Sequence, residues 1–328
     1  MRRPNTVDIS GRMMKYEIDA RNIDEFVGIF DQRANDPGAE EYFFRSGFKY
    51  NYRVRVDTTL DPYSDAYFDQ QVALYEEISG RKLDQHANEP IAFDIEAHVH
   101  RPNPYLEVSP AGMPLHIQRL SKGLRFGDLP AGARVLDFGA GHGVSSELAA
   151  YLGFRVTAID INPHYVELIN RRARRSGLPI EAVCSAFDDF QAAPDYDAAV
   201  FYESLHHATK PWETLRHVSG LLKPDGKALL VCEPINDVWW PNWGLRLDAV
   251  SVWAIRKFGW FESGWSRPFL ERMMRDAGLE PVLVPDGDLA IGILAIGLKP
   301  QANISYRPPA PPPARGLSGR LRRLFGGA

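Results

Sequence analysis

The sequence predicts an α/β fold in which a seven-stranded, doubly wound, mostly parallel sheet closes with an antiparallel C-terminal hairpin. Three observations carry this expectation. From about Ala133 short apolar runs alternate with amphipathic helical stretches. Glycines cluster directly behind the first of those runs, and the last two runs flank Asp286-Gly287-Asp288, a hairpin turn signal.

The strands read in order as Arg134-Val135-Leu136-Asp137, Arg155-Val156-Thr157-Ala158-Ile159-Asp160, Ile180-Glu181-Ala182-Val183-Cys184, Asp197-Ala198-Ala199-Val200-Phe201-Tyr202 and Lys227-Ala228-Leu229-Leu230-Val231-Cys232. The helix after the second strand is marked by Asn162 as N-cap, Pro163 at the first helical position and Gly177 beyond its end. A later helix starts near Ser266-Arg267-Pro268 and stops at Gly278, and residues 280–285 and 289–298 form the closing hairpin.

Residues 1–125 mix aromatics, charges and prolines without this rhythm and are expected to form a cap or substrate-binding region, followed by the α/β domain over 126–300. Within that domain an insertion at 236–265 holds six of the seven tryptophans, Trp239, Trp240, Trp243, Trp253, Trp260 and Trp265, a density suited to a lid that lines a pocket or docks two regions. Residues 301–328 are a proline-rich linker and basic tail. In the tail Leu317, Leu321, Leu324 and Phe325 share a helical face, with Arg320, Arg322 and Arg323 on the others. That pattern fits weak contact with a membrane surface, in competition with a disordered solubilising tail.

The 328 residues are 45% hydrophobic and 24% charged, with 27 glycines and 25 prolines in no repeat, which excludes collagen, coiled coil and wholesale disorder. A net charge of −4 excludes general attraction to nucleic acid, so no nucleic-acid partner is expected. The Arg171, Arg172, Arg174 and Arg175 cluster accordingly reads as a solvated helix face. No signal peptide is visible, and the longest apolar run, about ten residues, is half of a membrane span, so the expected location is cytoplasmic, with the inner membrane face as the tail's alternative. Cys184 and Cys232, at the ends of predicted strands, read as reduced core residues.

The glycine-rich turn Val135-Leu136-Asp137-Phe138-Gly139-Ala140-Gly141-His142-Gly143-Val144 must bring backbone close to a ligand. Val144 occupies the place of the third glycine of a dinucleotide fingerprint, which weakens a nicotinamide reading. Asp137 would repel a pyrophosphate but suits a ligand carrying an ammonium and a sulfonium. Asp160, at the next strand end, is placed to accept hydrogen bonds from two ribose hydroxyls.

These residues resemble the class I S-adenosylmethionine-dependent methyltransferases over roughly residues 133–298. Their first motif is similar to residues 135–143, their ribose-binding acid matches Asp160, and Ser185-Ala186-Phe187-Asp188 is similar to the adenine-contacting segment. Residues 196–207, ending Glu203-Ser204-Leu205-His206-His207, look like the fourth motif, and Leu221-Leu222-Lys223-Pro224-Asp225-Gly226-Lys227 like the Leu-Lys-Pro-Gly-Gly turn. The resemblance implies a Rossmann-like domain with S-adenosylmethionine as cofactor and S-adenosylhomocysteine as product, bound by Asp137, Gly139, Ala140, Gly141, Gly143, Asp160, Ile161, Ala186, Phe187 and Glu203. Residues 243–265 are in addition similar to bacterial methyltransferases associated with envelope polysaccharide synthesis, which implies a hydroxyl of a sugar or glycan precursor as acceptor. A small secondary metabolite is the enzymatic alternative, and a non-catalytic cofactor-binding module the other.

In-line methyl transfer to a hydroxyl needs a base at the strand ends, and His206 or His207 is expected in that role, with Glu203 orienting the imidazole or binding the acceptor. Tyr105, Glu233, Trp239, Trp243 and Trp260 are assigned to the acceptor, and His142 to the cofactor pocket wall. Glu96, His98 and His100 alternate and on a strand would share a face as metal ligands do. Without a fourth ligand they read as a polar stripe, and no metal is expected.

Overall fold

The computed structural model describes residues 16–33, 42–43, 47–104, 112–235, 237, 239–285 and 293–306. Tyr105, the Asp286-Gly287-Asp288 turn and residues 307–328 lie outside them. The N-terminal region contains β1 (Glu17–Ile18), α1 (Ile23–Arg33), β2 (Lys49–Tyr50), α2 (Asp65–Ser79), α3 (Gln85–Asn88) and α4 (Ile95–Val99). After α5 (Gly112–Gly127) come β3 (Arg134–Phe138), α6 (Val144–Tyr151), β4 (Arg155–Asp160), α7 (Pro163–Ser176), β5 (Ile180–Cys184) and β6 (Tyr196–Tyr202). A short 3₁₀ turn (Leu205–His207), α8 (Pro211–Leu221) and β7 (Leu222–Val231) follow. The insertion folds as β8 (Trp243–Leu245), α9 (Ala249–Phe258) and β9 (Ser263–Trp265), and the chain continues through α10 (Arg267–Asp276), β10 (Glu280–Val284) and β11 (Leu294–Leu298).

Seven strands form one sheet in the order β10-β11-β7-β6-β3-β4-β5. The five from β7 to β5 are parallel, and β11 runs antiparallel to both β7 and β10. Chain progression runs outward from β3 to β5 and then resumes on the other side at β6. That reversal opens a crevice at the carboxyl ends of β3 and β6, the place where ligands bind in such sheets. The strands are buried on both faces, as Val135, Leu136, Phe138, Ala198, Ala199 and Phe201 show.

Helix α7 takes the predicted caps: Asn162 accepts from the His164 N–H, Pro163 opens the first turn, and Gly177 closes it in the left-handed region. Ser266 likewise caps α10. Strand β7 begins earlier than expected, at Leu222, absorbing the Lys-Pro-Asp-Gly stretch beside a register shift opposite Tyr196 and Ala198. Cys184 is exposed because β5 is the sheet edge, and Cys232 is half-buried, so neither is the core residue the sequence implied. Glu96, His98 and His100 fall on and after α4, a helix, so the alternation that placed them on one strand face does not hold. Glu96 pairs with Arg171, while His98 is buried with Nδ1 on the Pro104 carbonyl.

The expected cap boundary at 125 falls inside α5. This helix packs on β7, where a Cβ on Gly123 would stand 2.6 Å from Val231 and one on Gly127 2.9 Å from Leu229. Both positions thus demand glycine for close approach of the helix to the sheet. The buried Lys227 ammonium donates to the Gly127 and Asp128 carbonyls, satisfying the helix C-terminus with a cation.

The tryptophan-rich insertion docks the N-terminal region. Trp243 is fully buried, donates to the Pro62 carbonyl at 2.7 Å, and packs edge-on against Tyr67, whose hydroxyl donates back to the Trp243 carbonyl. Gln71 accepts from the Leu245 N–H, Tyr75 donates to the Gly259 carbonyl, and Trp253 stacks on Phe30 while donating to Asp31. Farther along, the buried Arg172 donates to the carbonyls of His98 and Arg101 and pairs with Glu147, tying the chain after α4 to α6 and α7.

Trp243→Ala removes the side chain at the centre of this dock. The variant is expected to lose about 3–5 kcal/mol of stability in urea denaturation, and a loss below about 1 kcal/mol would show that the dock does not depend on it.

Candidate active site

Chain leaving β3 turns at Gly139 (φ 69°) and Gly141 (φ 51°), both in the left-handed region, and enters α6 at Gly143. The Gly139 N–H donates to the Ile159 carbonyl and the Gly141 N–H to Asp160 Oδ2 at 2.8 Å, which fastens the loop to the end of β4. A Cβ on Gly141 would meet nothing, whereas one on Gly143 would stand 2.8 Å from Ile169. Gly141 thus faces open space, and Gly143 serves the packing of α6 on α7.

A cavity with about 860 Å³ of atom-free space, its open mouth included, lies over this loop. Its wall takes Gly139 and Gly141 from the loop, Asp160 and Ile161 after β4, and Ala186 and Phe187 after β5. Glu203, Ser204 and His207 after β6, and Gln85, Glu89 and Trp260 from the cap and insertion, also line it. Its mixed polar and aromatic lining suits an organic cofactor.

Asp160 is buried against the cavity with Oδ1 on the Asn162 N–H and Oδ2 on the Gly141 N–H, and each oxygen keeps a further lone pair. Burial pushes its carboxyl up to about 6 against the lowering effect of those two N–H groups. Asp137 is buried behind the loop and is not on the cavity wall. Its Oδ2 accepts from the Ser145 and Ser146 hydroxyls at 2.6 and 2.5 Å, while Oδ1 is buried without a hydrogen-bond partner. Ala140 and Gly143 are also off the wall, Ala140 packing with Ala158, Ile169 and Ala182. Gly139, Gly141, Asp160, Ile161, Ala186, Phe187 and Glu203 are thus the assigned cofactor residues that the fold brings to one surface.

The expected bases are held differently. Glu233 is fully buried and accepts from the N–H groups of Ser204, Leu205 and His206 and from His206 Nδ1 at 2.9 Å. It braces the turn and does not reach an acceptor. His206 Nε2 faces Glu262 at 3.5 Å, so both ring nitrogens meet carboxylates and the ring is off the cavity wall, contrary to a base role. The donor-type atoms of His206, His207 and Glu262 lie within 4.8 Å of one another, but the carboxylates arrange them as an ion-pair network extended by Arg246.

His207 does line the cavity, and its Nδ1 lies 3.3 Å from Glu89 Oε2, an ion-pair distance out of line for a hydrogen bond. Burial pulls its pKa down, but the carboxylates of Glu89, Glu262 and Glu233 outweigh this and raise it to about 9. At neutral pH it is therefore an imidazolium and a poor proton acceptor. Glu203, with the uncommon φ of 49°, orients neither histidine and instead accepts from Arg119 at 2.9 Å.

Of the tryptophans assigned to the acceptor, Trp260 alone reaches the wall, edge-on to His207 and donating to the Glu89 carbonyl. Trp243 is core, and Trp239 lies beneath the Arg246 guanidinium. His142 packs with Phe93, His98 and Tyr165 beside the wall, and burial lowers it to about 4, which makes it a neutral ring. Gln85 and Glu89 carry no sequence signal. Asn162, read only as a helix cap, also lines the cavity and donates to the Ile91 carbonyl, holding the cap segment over it.

Fold and site together define an α/β protein that binds an organic cofactor at the switch point of its sheet. Residues 114–284, just over half the chain, match the family profile described as "Methyltransferase domain", and the chain belongs to this S-adenosylmethionine-dependent family. Among curated relatives, a ubiquinone biosynthesis O-methyltransferase from Xanthomonas axonopodis pv. citri (strain 306) is 41% identical over 103 residues, 31% of this chain and 43% of that protein. The chain spans less than half the length of the curated relatives it matches. Two solved structures are also similar. A 1,6-didemethyltoxoflavin-N1-methyltransferase from Burkholderia thailandensis, with S-adenosylhomocysteine bound, is 20% identical over 60% of this chain and 92% of its own, with a TM-score of 0.43. A methyltransferase from Aquifex aeolicus is 17% identical over 63% and 97%, with a TM-score of 0.44.

The residues present fit the cofactor. Asp160 retains acceptor capacity for two hydroxyls, the open side of Gly141 admits close approach, Phe187 offers an aromatic face, and Asp137 Oδ1 holds an unused acceptor behind the loop.

The raised His207 value is also a stability statement. Since it lies above the ordinary 6.5, the contribution is fully present below pH 6.5 and is lost as pH rises through about 9. Glu89→Gln is expected to be destabilised relative to the parent by at most about 3 kcal/mol at pH 6, with the gap closing by pH 10 in urea titrations. A gap independent of pH would sink the pairing.

Proposed function

We propose that the chain transfers the methyl group of S-adenosylmethionine to a hydroxyl of a small-molecule acceptor. One observation carries the reading. The cavity places a two-armed carboxylate acceptor, Asp160, and the open glycine turn at one end, with Glu203 from the end of β6 in the same wall. The donor's methyl group is an activated electrophile, so these residues need only bind, orient and exclude water. Glu89, Asp160 and Glu203 give the cavity acidic character suited to a cationic cofactor.

The hydroxyl acceptor is supported by relatives named for O-methylation in ubiquinone biosynthesis. The glycan acceptor expected from the resemblance of residues 243–265 draws little support from the tryptophans, because Trp243 and Trp265 are core and Trp239 is off the wall. A single tryptophan, Trp260, is left among the lining residues to stack on a sugar face.

Transfer of labelled methyl groups into host extract separated into small-molecule, lipid, glycan, RNA and protein fractions tests this. Label in the small-molecule fraction is expected; label confined to glycan restores the sugar reading, and label in RNA or protein, or none at all, overturns the proposal.

The ribose role of Asp160 makes a further prediction. Cofactor hydroxyls favour the carboxylate, so affinity should be constant at higher pH and decline as pH falls through about 6. Asp160→Asn should lose about 1.5–3 kcal/mol of binding and this pH dependence in calorimetry; unchanged affinity would remove the assignment.

A further inference from the structure

We infer that His207 holds the acceptor oxygen by donating to it from Nε2, and that the hydroxyl it takes is acidic enough to ionise without a protein base, as a phenol is. This inference deepens the O-methyl transfer reading and rests on it. The turn after β6, pinned by Glu233, delivers the His207 ring to the cavity wall beside Glu203 and Ser204. Nδ1 is buried and lies 3.3 Å from Glu89 Oε2, whereas Nε2, which makes no hydrogen bond among the described residues, stays accessible.

The surroundings single this nitrogen out. Gln85, Asn162, Ser204 and Trp260 also carry donors on the wall, but each already gives a hydrogen to a backbone carbonyl. No lysine or arginine occurs among the described lining residues. Trp260 stands edge-on to the His207 ring and stacks on Phe258, so an aromatic surface borders the donor. Carboxylates then keep the ring a cation: Glu89 from the end of α3, Glu262 from the insertion and Glu233 from the end of β7 outweigh burial. His206, from the same turn, lies beside it at a centroid distance of 4.5 Å. An imidazolium carries N–H on both nitrogens, so Nδ1 faces Glu89 while Nε2 is left for a ligand.

The proton acceptors on the wall decide the class of hydroxyl. They are the carboxylates of Glu89, Asp160, Asp188 and Glu203. Glu89 is engaged by the Phe261 N–H and His207, Asp160 by two backbone N–H groups, and Glu203 by Arg119. A carboxyl group ordinarily ionises near about 4, roughly six units below a phenol of the tyrosine type and farther still below an aliphatic alcohol. An alcohol would find no group of matching basicity, whereas a phenol can lose its proton to water once a cationic donor favours the oxyanion. In the step, that proton has gone to solvent and the phenolate oxygen forms a bond to the methyl carbon. The carbon–sulfur pair returns to sulfur, leaving a neutral thioether, and the imidazolium keeps its proton throughout.

The test characterises the labelled product of the small-molecule fraction by NMR and follows His207 by ¹⁵N NMR in protein saturated with S-adenosylhomocysteine. Label in an aryl methyl ether is expected, with a His207 ring protonated at pH 7 that titrates near about 9, and lower in Glu89→Gln. His207→Ala should lower kcat for the isolated acceptor by about 10²–10³-fold, and His207→Gln, which keeps an N–H donor, should recover part of that loss. Calorimetric affinity for S-adenosylmethionine should be unchanged in both variants. Label in an alkyl ether, a neutral His207 at pH 7, or wild-type kcat in His207→Ala overturns the inference while leaving methyl transfer standing. Should the variants fail to fold, the product and the wild-type ring still decide it. Label outside the small-molecule fraction, or none, removes the transfer reading and this inference with it.

Discussion

Glu233 is the interaction on which the site depends. A carboxylate buried at the end of β7 is costly unless every lone pair is used, and here three consecutive N–H groups and an imidazole use them. The burial that would raise its pKa is overcome by His206 and those N–H groups, which hold it below the ordinary value. The result is a rigid exit from β6. With residues 204–206 pinned, Glu203 is forced into its left-handed conformation, Ser204 donates to the Phe138 carbonyl, and His207 is delivered to the cavity wall. His206 then has a structural place: its ring lies between Glu233 on one side and Glu262 on the other, and the Ser263 hydroxyl donates to its carbonyl, joining the turn to the insertion.

That last contact explains why the tryptophans matter without touching the cofactor space. The insertion is clamped between the turn after β6 and the N-terminal helices, so the aromatic dock around Trp243 and Trp253 fixes where the cap lies. From the cap, Gln85 donates to the His207 carbonyl, and Glu89 accepts from the Phe261 N–H while pairing with His207. Large apolar side chains thus set the position of two polar ones, and the cost of ordering the cap is offset by burial away from the cavity.

Local rules made much of the fold legible in the sequence. The buried parallel strands appear as continuous apolar runs, Asn162, Pro163 and Gly177 mark α7, and Asp160 is legible because the switch-point crevice makes a strand-end acid useful. What was not legible depends on distant partners. Nothing near Glu89 marks it, since its role comes from His207, over a hundred residues away. The His206-His207 pair looks like a base until Glu233 and Glu262 arrive from the end of β7 and from the insertion. Trp243 and Trp260 are equivalent in sequence, and only the packing of α2 sends one to the core and leaves the other at the cavity. The extent of α5 is hard to read from sequence because Gly123 and Gly127 lower helix propensity, and only the fold shows that they allow close approach to β7.

The distribution of charge follows a single logic. Carboxylates that suit a cationic cofactor also raise the pKa of an imidazole among them, as His207 shows. Glu203 is partly set apart from this group, because Arg119 on α5 donates to it while it stays on the cavity wall. The position of α5 therefore bears on the cavity as the glycine loop does, and that position depends on the close approach of Gly123 to Val231 on β7.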